Sequence, residues 1–161
     1  MDEQAEAAKK SALLMIPYGL YVLGAKHGTE YAAGTINWVT QTSFKPPLVA
    51  MGVKQESGLY SVLKASGTFA LSFLETGQKD MAFAFFKPTR VEGQMVNGHH
   101  FETHETGAPV IAAAAAWVEG HIVGEVAMGD HICVVGEITN AALKRETKLL
   151  TLDECGVKYG G

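Results

Sequence analysis

The sequence predicts a mostly β protein, an antiparallel barrel or sandwich with a few helices packed outside it. Three observations carry this reading. Segments rich in β-formers outnumber helical ones. They succeed each other at hairpin spacing, not in β-α-β alternation. The 161 residues are 47% hydrophobic and 19% charged, enough apolar material for a real core. Closing such a sheet on itself would also remove its exposed edges. A mass of 17.2 kDa fits one domain over residues 1–161.

The elements follow in order. Residues 1–16 are rich in Ala, Glu and Lys, with Ala5, Ala8, Ala12 and Met15 near helical spacing. Pro17 ends that helix, which is expected to pack on the barrel. Leu20–Gly24 is dense in β-formers, and the polar run Lys26–Glu30, with Gly28 at its centre, predicts a hairpin turn. The next strand, near Tyr31–Val39, carries small or polar residues where a core strand would carry Val or Ile. Pro46-Pro47 punctuates the chain before an apolar strand at Leu48–Val53. Ser57 is placed to cap a helix over Gly58–Ala65, which Ser66-Gly67 stops. Thr68–Leu74 reads as a strand and Gln78–Phe85 as a short helix closed by Lys87-Pro88. Arg90–Pro109 is polar, glycine-broken and without period, and reads as loop. Ala112–Ala116 favours helix by its alanines, while the flanking Val110, Ile111, Trp117 and Val118 favour strand. His131–Ile138 is a clear strand.

Composition excludes several function classes. A formal charge of −4 and a pI near 5.8 leave no electrostatic footprint for nucleic acid. No apolar run approaches the roughly 20 residues that cross a bilayer. The mixed-charge, Ala-rich start is unlike a signal peptide, so a cytoplasmic location is expected. Cys133 and Cys155 make neither a disulfide framework nor a zinc site. His99, His100 and His104, with Glu102 and Glu105 between them, lack the spacing of a rigid metal site, and no metal is expected. No Gly-x-Gly-x-x-Gly follows a strand, and no Gly-x-Ser-x-Gly is present.

The stretch Gly34–Pro47 is the most informative. Beside Trp38 it gathers five side chains that hydrogen-bond through hydroxyl or amide groups: Asn37, Thr40, Gln41, Thr42 and Ser43. Hydroxyls and backbone amides clustered in a turn suit a phosphate. An amide and backbone groups beside an aromatic suit a flat heterocycle with donors and acceptors on its rim. A polar surface loop after an edge strand is the alternative such composition also allows.

Taken together, Gly34–Pro47, the Leu48–Val53 strand, Gly129-Asp130-His131 and Val134-Val135-Gly136-Glu137 resemble the flavin reductase-like family. The order of a small-residue strand, a Ser/Thr-rich turn ending in Phe and Pro, a Ser-capped helix, a strand like Phe69–Leu74 and a late Gly-Asp-His matches over roughly Tyr18 to Gly161. The resemblance implies an antiparallel split β-barrel that binds FMN in preference to FAD. That choice rests on whether there is room for an adenosine beyond the phosphate turn.

Site residues come from the same resemblance. Thr35, Ile36, Asn37 and Trp38 match the strand along the flavin ring, and Gln41, Thr42 and Ser43 the phosphate turn. Lys54 and Ser57, where a strand meets a helix N-terminus, suit a second clamp on phosphate. Phe85, Phe86 and Lys87 match a stretch near the flavin, Lys87 as a point charge. Phe83, Phe85 and Phe86 read equally as a hydrophobic cluster or a dimer contact. His131 matches a histidine where nicotinamide docks. The implied activity is NAD(P)H:flavin oxidoreduction with NADH or NADPH as donor, in a homodimer. The alternative is an electron-transfer flavoprotein reduced by a partner protein, and a third is a stand-alone relative of a domain fused in larger flavoproteins.

Overall fold

A computed structural model describes Met1–Gly161. Helix α1 (Glu3–Leu13) is shorter than the expected 1–16. The Asp2 carboxylate caps it by accepting from Ala5 N–H at 2.8 Å, and the helix buries none of its residues. Strands β1 (Tyr21–His27) and β2 (Glu30–Ile36) form the expected hairpin, with Gly28 at φ 59° in its two-residue turn. Asn37 and Trp38 separate β2 from β3 (Val39–Ser43), so the expected Ser/Thr-rich turn is a strand. Leu48–Lys54 forms β4. Ser57 caps α2 (Gly58–Ser66) by accepting from Tyr60 N–H at 3.1 Å, and Gly67, at φ 69°, ends it. Then come β5 (Thr68–Phe73) and α3 (Lys79–Ala84).

Residues 90–109 are not loop. They hold β6 (Val91–Glu92), β7 (Met95–Val96) and β8 (His99–Thr103), and β9 (Pro109–Ile111) follows; the four make a small antiparallel sheet. These strands are two to five residues long, too short for a period of two to register in the sequence. Ala112–Ala115 is neither helix nor strand, and β10 (Ala116–Val126) starts at its end. β11 (His131–Leu143) extends past the expected Ile138.

The large sheet is antiparallel throughout, in the order β2-β1-β5-β10-β11-β4-β3. Its terminal strands, β2 and β3, are consecutive in the chain. Helix α2 packs on β1, β2, β4 and β5, and β2 touches β4 without pairing to it. One core lies within the curl, around Leu23, Met51, Leu63, Phe69, Leu71 and Ile132. A second lies behind β1, where Leu20, Val22, Leu74, Phe85, Ile111 and Leu150 meet. Successive residues of β1 therefore point into different cores, which is why the strand reads as a continuous apolar run. Within the curl, Phe69 lies so close to Gly136 that a Cβ there would fall 2.3 Å from its ring.

Glu119 on β10 is wholly buried. It accepts from the N–H groups of Glu105 (2.9 Å) and Thr106 (3.2 Å), the Thr106 hydroxyl (2.6 Å) and Asn140 Nδ2 (2.8 Å). Burial alone would raise its pKa; the bonds from Thr106, Asn140 and Glu105 outweigh it and hold the carboxyl below its ordinary value. Because the folded state binds this proton more weakly, the carboxylate stabilises the fold at neutral pH. That stabilisation is lost as pH falls below about 4.3 and through the depressed folded value. Glu119→Gln turns one acceptor into a donor facing N–H groups. It is expected to cost about 1–3 kcal/mol at neutral pH, read as a lower urea midpoint, with the two proteins converging in acid.

Candidate functional site

A cavity of about 690 Å³ opens in the gap between β2 and β4, under the N-terminus of α2. Its wall is the small-residue strand: Ala32, Ala33, Gly34 and Thr35 line it, and bulky side chains there would fill it. Gly34 also admits α2, since a Cβ at that position would stand 3.1 Å from Leu59 Cδ2. The segment after α3 covers the outer edge of β2. Phe85 C=O accepts from Thr35 N–H at 3.1 Å, and the Thr89 hydroxyl bonds both peptide groups of Ala33, at 3.0 and 3.2 Å. The Thr35 hydroxyl donates to Ala82 C=O at 2.6 Å. Neither polar group of Thr35 that donates is therefore free, and the strand's edge opens only from Asn37 onward.

Of the residues singled out from the sequence, Thr35, Ile36, Asn37, Lys54, Ser57, Phe86, Lys87 and His131 line this one cavity. Trp38, Gln41, Thr42 and Ser43 do not. Trp38 stands behind the wall, resting on Gly52, with its ring 4.7 Å from that of His131 and 5.4 Å from that of Tyr159; its Nε1 is buried without a partner. Gln41, Thr42 and Ser43 lie on the edge strand β3, where Gln41 Nε2 donates to Ser43 C=O at 3.2 Å. Phe85 and Phe86 both line the cavity, Phe85 buried in the second core and Phe86 exposed. The histidines of β8 and its exit are also separated, His99 against Phe85 and His104 stacked on Trp117 at 4.0 Å.

The sequence resemblance gives no site role to the segment that closes the far side, Val157, Lys158 and Tyr159, or to the Pro88-Thr89 pair, although Lys87-Pro88 and Tyr159-Gly160-Gly161 resemble a subgroup of the family. The sequence around Tyr159 does not show what the tyrosine meets in the fold, and Thr89 matters only through the strand edge it bonds. Tyr159 OH lies 2.5 Å from His131 Nε2, Asp130 Oδ1 lies 2.9 Å from His131 Nδ1, and Asn37 Nδ2 donates to Tyr159 C=O at 3.3 Å. The hydrogen bond that His131 gives Asp130 is the main cause that lowers the Asp130 pKa. Burial, aided by the charge of Asp130, raises that of Tyr159 and keeps its phenol protonated.

The electrostatics favour an anion. Lys54, Lys87 and Lys158 line the cavity against one carboxylate, Glu30, in a chain whose net charge is −4. Gly58 and Leu59, the first residues of α2, bring amides that have no carbonyl a turn earlier to bond, at the positive end of the helix. A half-apolar slot with a cationic end fits a planar ring system carrying a phosphate.

Comparison with known proteins agrees with this geometry. The family model for the flavin reductase like domain matches residues 13–156. The ferric-chelate reductase (NAD(P)H) of Archaeoglobus fulgidus is 30% identical over 144 residues, covering 87% of this chain and 84% of that protein. Diflavin flavoprotein A 1 of Synechocystis is 26% identical, but the chain spans only about a quarter (24%) of its length. Among solved structures, the NADH:FAD oxidoreductase SgcE6 of Streptomyces globisporus superposes with a TM-score of 0.73 at 29% identity, over 88% of this chain and 84% of that one. With the ordered motifs and this fold in place, the chain belongs to the flavin reductase-like family.

Proposed function

We propose that this protein is an NAD(P)H:flavin oxidoreductase and that its cavity holds FMN without a covalent link. The observation that carries the reading is the slot itself, walled by small residues and cationic at the α2 end. In it, Ile36 and Asn37 are assigned to the ring, with Trp38 backing them. Lys54, Ser57 and Lys87 are assigned to the phosphate, and Phe86 screens the ring from water. Bound flavin supplies a ring that accepts hydride from a nicotinamide and passes electrons on. The chain's own work is binding and orientation: no side chain in the cavity is poised for acid–base chemistry except the Asp130–His131–Tyr159 chain. His131 is assigned to placing the nicotinamide.

The curled seven-stranded sheet, whose edges approach without pairing, is read as the family's split β-barrel. We also assign a homodimer. Support comes from the edge strand β3, which pairs only with β4, and from exposed apolar side chains, Phe44 at 85% just after β3 and Phe86 at 55% in the segment beside β2. Reduced flavin or its electrons would then pass to a partner oxygenase, a metal complex or oxygen.

The reading is tested by the absorption spectrum of the protein loaded with FMN or FAD, followed anaerobically. Flavin bands near about 370 and 450 nm that bleach within seconds on adding NADH or NADPH are the expected result. Bands that bleach only with dithionite would instead favour the electron-transfer protein. Failure to bind either flavin overturns both readings. Lys54→Ala and Lys87→Ala are each expected to weaken FMN binding about tenfold, as loss of a charge-assisted hydrogen bond would. Riboflavin, which lacks the phosphate, should bind either variant as it binds the wild type; fluorescence titration with both ligands checks the contrast.

A further inference from the structure

The C-terminal segment from Val157 crosses the cavity without regular secondary structure. Upstream it is anchored by backbone pairing of Leu150 with Leu20 and Leu74, at 2.8 Å each, and of Leu152 with Tyr18 at 3.0 Å. At Tyr159 the only polar attachments are to residues of the cavity. Asn37 Nδ2 donates to its carbonyl, His131 Nε2 meets its hydroxyl, and its ring lies against Trp38. Tyr159 is nonetheless 42% exposed, so water or a ligand can reach it.

The proton order of the chain is set by its ends. Asp130 can only accept, so His131 carries its proton on Nδ1. Nε2 then has a lone pair, and the protonated Tyr159 hydroxyl donates to it. On a residue that lines the cavity, Nε2 is thereby already engaged by another lining residue. A ligand that needs it must first displace the tyrosine hydroxyl.

We propose that Tyr159 is a positioning residue that latches His131, and that a nicotinamide dinucleotide gains His131 only by displacing the Tyr159 hydroxyl. The inference rests on the reading of the cavity as a flavin and nicotinamide site. It differs from a purely structural role in sign: removing the hydroxyl improves nucleotide binding. The hydrogen bond that the dinucleotide must break is a neutral one, worth a factor of roughly three to ten in affinity.

Tyr159→Phe keeps the ring on Trp38 and deletes only the hydroxyl. With FMN saturating, the NADH KM is expected to fall about three- to tenfold. The 15N signal of His131 Nε2 is expected to move in the variant before any ligand is added. An unchanged or raised KM overturns the latch, as does a His131 signal identical in the two proteins. NADH binding is also titrated without flavin, by quenching of tryptophan fluorescence. If the flavin bands never form, the site reading has failed. The latch still stands on a tighter NADH complex in the variant, and falls if binding is equal or absent.

Discussion

The molecule depends on one short connection. The chain leaves β2, at one edge of the seven-stranded sheet, and enters β3, at the other edge, through Asn37 and Trp38 alone. Two intervening residues span at most about 11 Å between strand ends. Laid flat, seven strands would hold their edges about 29 Å apart. The sheet must therefore curl until its edges nearly meet. At the far side of that corner they do not pair, and the gap between β2 and β4 is where α2 and the cavity sit.

The rest of the site follows from this gap. Because α2 plugs it, the helix N-terminus points its free amides at the cavity, and Lys54 arrives at the end of β4 beside them. Because β2 is an edge, its outward peptide groups need partners, and Phe85 and Thr89 supply them while Lys87, between the two, faces the cavity. The small side chains of β2 leave space where a core strand would fill it. Large hydrophobic residues on β1 and β5, buried on both faces, hold the wall against which that space is kept.

A local cationic field in an anionic chain is the electrostatic counterpart. Three lysines and a helix terminus gather at one cavity while most carboxylates lie elsewhere, several in exposed pairs such as Glu75 with Arg145 and Glu102 with Lys144. Exposed pairs of this kind contribute little to stability. Glu119 is the exception: buried and fully bonded, it ties the turn at Glu105-Thr106 to the sheet.

What the sequence by itself determined is local. Its strand-forming runs, the Gly28 hairpin, the Ser57 cap, the Gly67 stop and the ordered motifs from Gly34 to His131 were legible because each is set by neighbours within a few residues. The short strands of residues 91–111 were not, since two to five residues hold no period. Nor was the separation of Trp38, Gln41, Thr42 and Ser43 from the cavity. Which face of an edge strand meets a cavity depends on how the sheet curls, and that is fixed by pairings between residues far apart, such as Val49 with Gly136 and Leu71 with Val118. Tyr159 was the hardest to read. It reaches Asn37 and His131 across 122 and 28 residues of chain. Only the folded chain, by docking Leu150 and Leu152 against β1 and the residues before it, brings its hydroxyl to the imidazole.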